Sequence, residues 1–332
     1  ELDTGPAAVK VQRPGIRALI CVDLFLLRFM AGLGARWLGL NTDLVALVDE
    51  YGARLVAELD FTLEAKSALH FHAQAPRLGL DSLCAVAQPL LRLTTRRVLV
   101  TAWVEGEQLS DTARRDPGEA RRLQGVALVA YLSMLLETGA LHADPHLGNL
   151  LRAPDGRLVI LDWGLVARIE PQLRRSLLNY LAHILAEDYE AVPGDFAALG
   201  FVTERGRAAV LDDAAARAIS DVFRQLASGG SVRRRVADVL PRLAGVRQRF
   251  GNVFQIPPSF VYILRTFSIL EGTGLGTDEG YRIVDDCYPY LASWALRAEG
   301  LEARQLLLAV LYGRSVGGVR VPDAGRLARL WR

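Results

Sequence analysis

Two short apolar runs, residues 150–151 and 158–161, flank a polar segment that contains Asp155-Gly156. An Asp-Gly pair suits the positive φ angles of a tight turn, so the pattern predicts an antiparallel β-hairpin. An antiparallel hairpin brings its two ends together. We therefore expect Asn149, just before the first strand, and Asp162, just after the second, to lie side by side.

Elsewhere the apolar spacing predicts mainly helices. They cover residues 16–40, 43–71, 121–138, 171–186, 212–227 and 260–270. Residues 16–40 are expected to form one or two helices with Gly32 and Gly34 near a bend. Packing is the main interpretation of this segment and membrane contact the minority one. A helix stop is expected at Gly272, after the last segment. Two strands are predicted at residues 7–11 and 98–104, and Glu105-Gly106 follows the second as a hinge.

Length and composition restrict the class of protein. A chain of 332 residues favours two domains or lobes. A net charge of +2, with 51% hydrophobic and 23% charged residues, requires no nucleic-acid partner. Three widely spaced cysteines, no signal-peptide pattern and uncharged apolar stretches shorter than about 20 residues indicate a cytoplasmic protein, with peripheral membrane association left open. The arginine-rich residues 232–249 fit either a solvated helix face or contact with anionic lipid.

The hairpin ends carry candidate chemistry. The amide oxygen of Asn149 and the carboxylate of Asp162 are ligands that Mg²⁺ takes alongside phosphate oxygens. Asp144, five residues before Asn149, can face the same point and orient or deprotonate an attacking oxygen. Turn residues of these types also occur in ordinary surface hairpins. Their order and spacing, however, are those of a kinase catalytic loop followed by its metal motif.

A zinc site is the other interpretation of this stretch. His142, Asp144 and His146 alternate, and alternate residues share a face in a regular strand. Pro145 and Gly148 disfavour a regular strand here, so this interpretation is the weaker one.

Lysine usage singles out two positions. Nearly all basic residues are arginine, and only Lys10 and Lys66 are lysines. A retained lysine points to a need for a compact ammonium group. Lys10 lies in a predicted strand, where a kinase places its phosphate-contacting lysine, and Glu64 or Glu58 could be its helix partner. The spacing does not choose between these two glutamates.

Several motifs together resemble the UbiB/AarF family of atypical kinases. They are Val-Lys-Val-Gln-Arg-Pro-Gly at 9–15, Glu-Leu-Asp-Phe at 58–61 with Glu64-Ala65, His-Ala-Asp-Pro-His-Leu-Gly-Asn at 142–149, Leu-Asp-Trp-Gly at 161–164, and residues 258–272 with Arg265. The resemblance extends to about Leu291.

The resemblance implies an α+β, protein-kinase-like, two-lobed fold with an incomplete N-lobe sheet and a predominantly helical C-lobe. It implies a partial N-lobe over residues 1–105, a C-lobe over 106–295 and a helical extension over 296–332. The family's Lys-x-Gly-Gln segment and alanine-rich nucleotide loop would precede Lys10, so an N-terminally truncated chain is expected.

The resemblance also implies roles. Lys10 would be the strand lysine and Glu64 its partner. Asp144 would be the catalytic aspartate, with Asn149 and Asp162 as metal ligands. The remaining implied positions are the backbone of Glu105, which would pair with adenine, and the regulatory Glu-x-Asp motif of Glu58 and Asp60.

The function that follows is ATP- and Mg²⁺-dependent phosphoryl transfer in quinone or other isoprenoid-lipid biosynthesis at a membrane. Two alternatives stay open. One is a small-molecule phosphotransferase of the aminoglycoside or choline kinase type, and the other is a nucleotide-binding pseudokinase scaffold.

Overall fold

The computed structural model describes residues 5–38, 44–203, 216–217, 220, 255–277 and 283–312. The predicted helix at 212–227 and the arginine-rich segment at 232–249 lie largely or wholly outside these residues. Within them the protein is helix-rich, with three small sheets, so the predicted α+β class is confirmed. The two-lobed arrangement and the three domain boundaries stay predictions.

The helices are α1 (Ile16–Leu38), α2 (Leu44–Glu58), α3 (Phe61–Gln74), α4 (Leu109–Arg115), α5 (Pro117–Ser133), α6 (Pro171–Ala186), α7 (Val192–Ala198), α8 (Pro258–Thr277), α9 (Ile283–Arg297) and α10 (Leu301–Tyr312). The strands are β1 (Ala7–Val11), β2 (Cys84–Val86), β3 (Val98–Ala102), β4 (Glu107–Gln108), β5 (Ala140–His142), β6 (Leu150–Arg152), β7 (Leu158–Ile160) and β8 (Val166–Arg168).

The predicted hairpin is present as β6 and β7. The two strands pair antiparallel from Leu150 opposite Ile160 to Arg152 opposite Leu158, and Gly156 takes a φ of 84° in the turn. They form the centre of a four-stranded sheet of order β2-β7-β6-β4. The backbone N–H of Leu161 donates to the carbonyl of Asn149 at 3.0 Å, so the hairpin ends lie together.

The strand that carries Lys10 is also present. β1 pairs antiparallel with β3, with Lys10 opposite Leu99. Phe61, Ala65 and Leu99 form a small buried cluster that ties α3 to this pair of strands. β3 ends at Ala102, two residues before the predicted end.

The prediction of a single helix over residues 43–71 is wrong, because one helix ends at Glu58 and the next begins at Phe61. Asp60 has non-helical backbone angles (φ −100°, ψ 91°), and its carboxylate accepts a hydrogen bond from the N–H of Thr62. An aspartate at this position caps a new helix. The apolar spacing continues across residues 59–60, so it did not indicate that two helices meet there.

The helix stop expected at Gly272 is also wrong, because α8 continues to Thr277. α1 is one helix that runs past Gly32 and Gly34, and the bend expected there stays a prediction. Glycine lowers helix stability by about 1 kcal/mol relative to alanine, which a long apolar helix can absorb.

α1 presents an apolar face to solvent. One side of α1 packs on α2, where Gly52 admits the side chain of Leu24 and Arg28 pairs with Asp49 at 2.7 Å. The segment Ile16–Ala35 is long and apolar enough to cross a membrane, and none of it is buried. The sequence-based interpretation of α1 as a packing element therefore accounts for only one of its sides. Its exposed large apolar side chains are Leu19, Val22, Phe25, Leu26, Leu27, Phe29, Met30, Leu33 and Trp37.

The chain divides into two compact units. The first comprises Glu1–Arg168 and Tyr262–Glu279, and its core includes Tyr131, Leu123 and Leu128 of α5, all 2% exposed or less. Burying such a side chain contributes about 1.5–3 kcal/mol. The second comprises Ile169–Val261 and Gly280–Arg332, in which α10 packs against α6 and α9.

Candidate functional site

The first unit brings one lysine together with two carboxylates. Lys10 Nζ lies 3.0 Å from both carboxylate oxygens of Glu64 and 3.1 Å from Oδ2 of Asp162. Strand β1 supplies the lysine, the first turn of α3 supplies the glutamate, and the segment after β7 supplies the aspartate. Of the two glutamates that the sequence left open, Glu64 makes the contact with Lys10.

The electrostatics of this cluster are unbalanced, with two acids around one base. Burial, followed by the charge of Asp162, raises the pKa of Glu64 to about 7. Burial opposes ionisation of Asp162, but the charge of Lys10 and the Gly164 N–H at 2.9 Å outweigh it and leave that pKa below its usual value. Burial also acts against the charge of Lys10, but its two acidic neighbours raise the net pKa of the lysine.

Asn149 and Asp144 lie at the start of the hairpin. Asn149 is buried, at 8% exposure, in the short 3₁₀ turn Leu147–Asn149. Its amide nitrogen donates to the backbone carbonyl of Asp144 at 3.3 Å. This bond uses the amide nitrogen and leaves the amide oxygen as the donor atom for a hard cation.

Arg265 is a site residue that the sequence did not assign. Its Nη2 lies 2.7 Å from Oδ1 of Asp144, although 121 residues separate the two in the chain. A guanidinium–carboxylate hydrogen bond of this kind fixes the position of the carboxylate. Arg265 appeared only as part of a family motif in α8, and no local pattern could have paired it with Asp144.

Glu58 and Asp60, which the sequence grouped in one motif, have different surroundings. Burial raises the pKa of Glu58, and the negative charges of Asp162 and Asp144 raise it further, so Glu58 lies within the field of the site. Asp60 instead caps α3 and pairs with Arg96 at 3.0 Å. A hydrogen bond from the Thr62 hydroxyl is the main reason why the pKa of Asp60 is lowered.

A fully buried histidine supports the backbone that carries Asp162. His142 Nε2 bonds to the backbone carbonyl of Asp162, and the Tyr131 hydroxyl lies 3.0 Å from His142 Nδ1. A carbonyl oxygen only accepts, so Nε2 carries the proton and Nδ1 accepts from Tyr131. Burial lowers the pKa of His142, which keeps the ring neutral, as this arrangement requires.

Trp163 fixes the same segment from the other side. Its ring is 2% exposed, and its indole N–H donates to the carbonyl of Ile160 at 3.1 Å. It packs against Phe71 of α3 at a centroid distance of 4.9 Å and edge-on to His142 at 5.1 Å. The segment that holds Asp162 is therefore anchored to α3 and to β5.

Glu105 lies exposed in the connection between β3 and β4. The chain there passes close to β6, since a Cβ on Gly106 would lie 2.8 Å from the carbonyl oxygen of Arg152. The pairing of the Glu105 backbone with adenine stays a prediction.

Comparison with known proteins identifies related chains. A family model described as the ABC1 atypical kinase-like domain matches residues 2–195. An uncharacterized aarF domain-containing protein kinase from Arabidopsis thaliana, described as chloroplastic, is 33% identical over 93% of this chain and 42% of its own length. The chloroplastic protein ACTIVITY OF BC1 COMPLEX KINASE 3 of the same plant is 31% identical over 92% of this chain and 42% of its own.

An uncharacterized protein from Synechocystis is 32% identical over 92% of this chain and 53% of its own length. The chain thus spans about half the length of the curated relatives that it matches. A solved Mycobacterium tuberculosis protein, Rv3197 in complex with erythromycin, aligns over 80% of this chain and 72% of its own, with a TM-score of 0.47 and 21% identity.

Proposed function

The chain belongs to the ABC1 family of atypical kinases, of the UbiB/AarF type, and we propose that it binds ATP and catalyses Mg²⁺-dependent transfer or hydrolysis of the terminal phosphate. The observation that carries this proposal is the contact of Lys10 with both Glu64 and Asp162 at 3.0–3.1 Å. A phosphate-contacting lysine held by a helix glutamate beside a metal-binding aspartate is the arrangement that phosphoryl transfer requires.

The donor set suits Mg²⁺. Two carboxylates and one ammonium leave an excess of negative charge, and Asp162 and Asn149 offer the hard oxygen atoms that this cation prefers. Bound Mg²⁺ would supply charge neutralisation for the phosphate oxygens.

Each side chain has a separate task in this proposal. Lys10 contacts the phosphates and Glu64 keeps its ammonium in place. Asp144, held by Arg265 at 2.7 Å, orients or deprotonates the attacking oxygen. The backbone at Glu105 would contact the adenine.

The test compares two Asp-to-Asn exchanges on the same hairpin. Asp162→Asn should abolish Mg²⁺-dependent ATP hydrolysis, since it removes a ligand charge. Asp155→Asn should leave hydrolysis unchanged, since Asp155 lies in the exposed turn, where its carboxylate accepts from the Arg157 N–H. Turnover in Asp162→Asn equal to that in Asp155→Asn would refute phosphoryl transfer at this site.

Two results would redirect the proposal. Nucleotide binding without turnover in either variant would favour the pseudokinase scaffold. Efficient phosphorylation of a soluble amino sugar or choline would favour a small-molecule phosphotransferase over a role in lipid metabolism.

The proposed setting is quinone or other isoprenoid-lipid biosynthesis, with peripheral contact to a membrane through α1. The apolar side of α1 faces solvent where a soluble helix would be polar. The exposed Arg13 and Arg17 at its start can contact lipid phosphates, and Trp37 near its end is 94% exposed.

A vesicle experiment tests the membrane contact separately from catalysis. The protein should co-sediment with vesicles that contain anionic lipid, and Phe25→Ser with Phe29→Ser should release it. Trp103→Ser, which removes an exposed aromatic ring outside α1, serves as the control. Equal release by the Trp103 variant would contradict a contact specific to α1.

A further inference from the structure

The first unit contains a cavity of about 380 Å³, and α3, the helix that carries Glu64, forms part of its wall. It lies between α3 and the segments that contain β5, β8 and the residues after Asp162. The volume falls within the range of sites that hold small organic molecules. Its apolar wall includes Leu63, Phe71, Trp163 and Val166, and its basic side chains are Lys66, His70 and Arg168.

The ionisable side chains that line this cavity are all basic. No acidic side chain is among the described residues that line it. Lys66 and Arg168 form no salt bridge with another residue in the described part of the chain. A mainly apolar cavity bordered by unneutralised cations favours a ligand with an apolar body and an anionic group.

Lysine usage supports the same conclusion. The chain retains only two lysines among 39 basic residues. Lys10 is accounted for by the phosphoryl-transfer site, whereas Lys66 has no role in it. The cavity gives Lys66 a role, because an ammonium can pair with an anionic group from several directions, whereas a guanidinium is planar.

We propose that the cavity lined by Lys66, Phe71, Trp163 and Arg168 binds an amphipathic organic anion. An aromatic or aliphatic body would pack against the apolar wall of Leu63, Phe71, Trp163 and Val166. A carboxylate or phosphate group would pair with Lys66 and Arg168.

The cavity is connected to the phosphoryl-transfer site by shared elements. Lys66 lies two residues after Glu64 in α3, and Gly164 lines the cavity while a Cβ on it would lie 3.1 Å from Oδ1 of Asp162. A ligand in the cavity would therefore hold α3 and the segment of Asp162 in a fixed arrangement. The binding itself does not depend on catalysis, so it can be tested without ATP or Mg²⁺.

Fluorine NMR of protein labelled with 5-fluorotryptophan provides a local readout. The chain has five tryptophans, and Trp163→Phe identifies the resonance of Trp163. The probes are 4-phenylbutyrate, 4-phenylbutyl phosphate and the neutral 4-phenylbutanol. Both anions or one of them should shift the Trp163 resonance saturably and bind more tightly than the alcohol, and the preferred anion identifies the head group.

Matched variants test the charge. Lys66→Met should weaken anion binding about two- to fivefold, the size of an exposed ion pair, and Arg92→Met, which removes an exposed charge outside the cavity lining, should not. His70→Gln against His72→Gln repeats the comparison with two histidines of α3. An unmoved Trp163 resonance, equal binding of the alcohol, or equal weakening by Arg92→Met would overturn the proposal.

Discussion

Two glutamates of the first unit each bind basic side chains, yet their electrostatics are opposite. Glu119 accepts hydrogen bonds from Arg122 and Arg152, at 2.8–2.9 Å, and these bonds lower its pKa to about 2. Glu64 binds Lys10 at 3.0 Å, but burial and the neighbouring Asp162 raise its pKa to about 7. The first carboxylate has two basic partners, and the second shares one basic partner with another acid.

The difference agrees with a structural role for the ion pairs of Glu119 and with the role proposed above for Glu64. Around Glu119 the charges favour ionisation and therefore the folded state. Around Glu64, burial and then the charge of Asp162 oppose ionisation, so the charged form of Glu64 is unfavourable in the folded protein. Such unfavourable electrostatics are typical of sites that await a cation or a substrate.

The greatest change is expected in ATP turnover, when the basic partner of Glu64 and a basic partner of Glu119 are each exchanged between lysine and arginine. Lys10→Arg keeps the charge but replaces a compact ammonium with a larger planar group, so we expect ATP turnover to fall about 10²-fold or more. Arg152→Lys should leave turnover unchanged. Steady-state ATPase measurements on both variants test this expectation. A larger loss of turnover in Arg152→Lys than in Lys10→Arg would contradict the roles given to Glu64 and Glu119.

A smaller effect is expected on stability when Glu64 is made neutral. The pKa of Glu64 is about 7 in the folded protein against a reference of 4.5, so folding favours its protonated form. The wild-type protein should therefore lose about 1–3 kcal/mol relative to Glu64→Gln as the pH rises from about 4.5 to about 7, with no further change above. Chemical denaturation across this range measures the difference, and parallel curves for the two proteins would contradict it.

The smallest expected effect has the opposite pH dependence. Glu119 has a folded-state pKa of about 2, below its reference of 4.5, so its stabilisation is present above about pH 4.5 and is lost as the pH falls towards 2. Glu119→Gln should cost about 1–2 kcal/mol at pH 7, after allowance for solvent screening, and leave ATP turnover intact. A loss of turnover without a loss of stability would remove the distinction between the two glutamates.

Features set by local sequence were predictable. The β6–β7 hairpin follows from two apolar runs around Asp155-Gly156. The meeting of the Asp144, Asn149 and Asp162 side chains at one metal ion, which the Asp-x₄-Asn spacing indicates, stays a prediction. These inferences need only turn chemistry and strand geometry.

Features set by distant packing were not predictable. Arg265 reaches Asp144 across 121 residues. The spacing did not choose between Glu64 and Glu58 as the partner of Lys10, and only the family resemblance indicated Glu64. The spacing of apolar residues in α1 could not show that one side would stay exposed. Periodicity identifies an apolar side of a helix but does not identify what covers it.

Calorimetric titration of ATP with and without Mg²⁺ is the decisive test of the proposed nucleotide site. We expect Mg²⁺ to strengthen ATP binding to the wild-type protein and to Asp155→Asn, and we expect Asp162→Asn to remove this dependence on the cation. Retention of the full Mg²⁺ effect in Asp162→Asn would contradict a nucleotide site built on Lys10, Glu64 and Asp162.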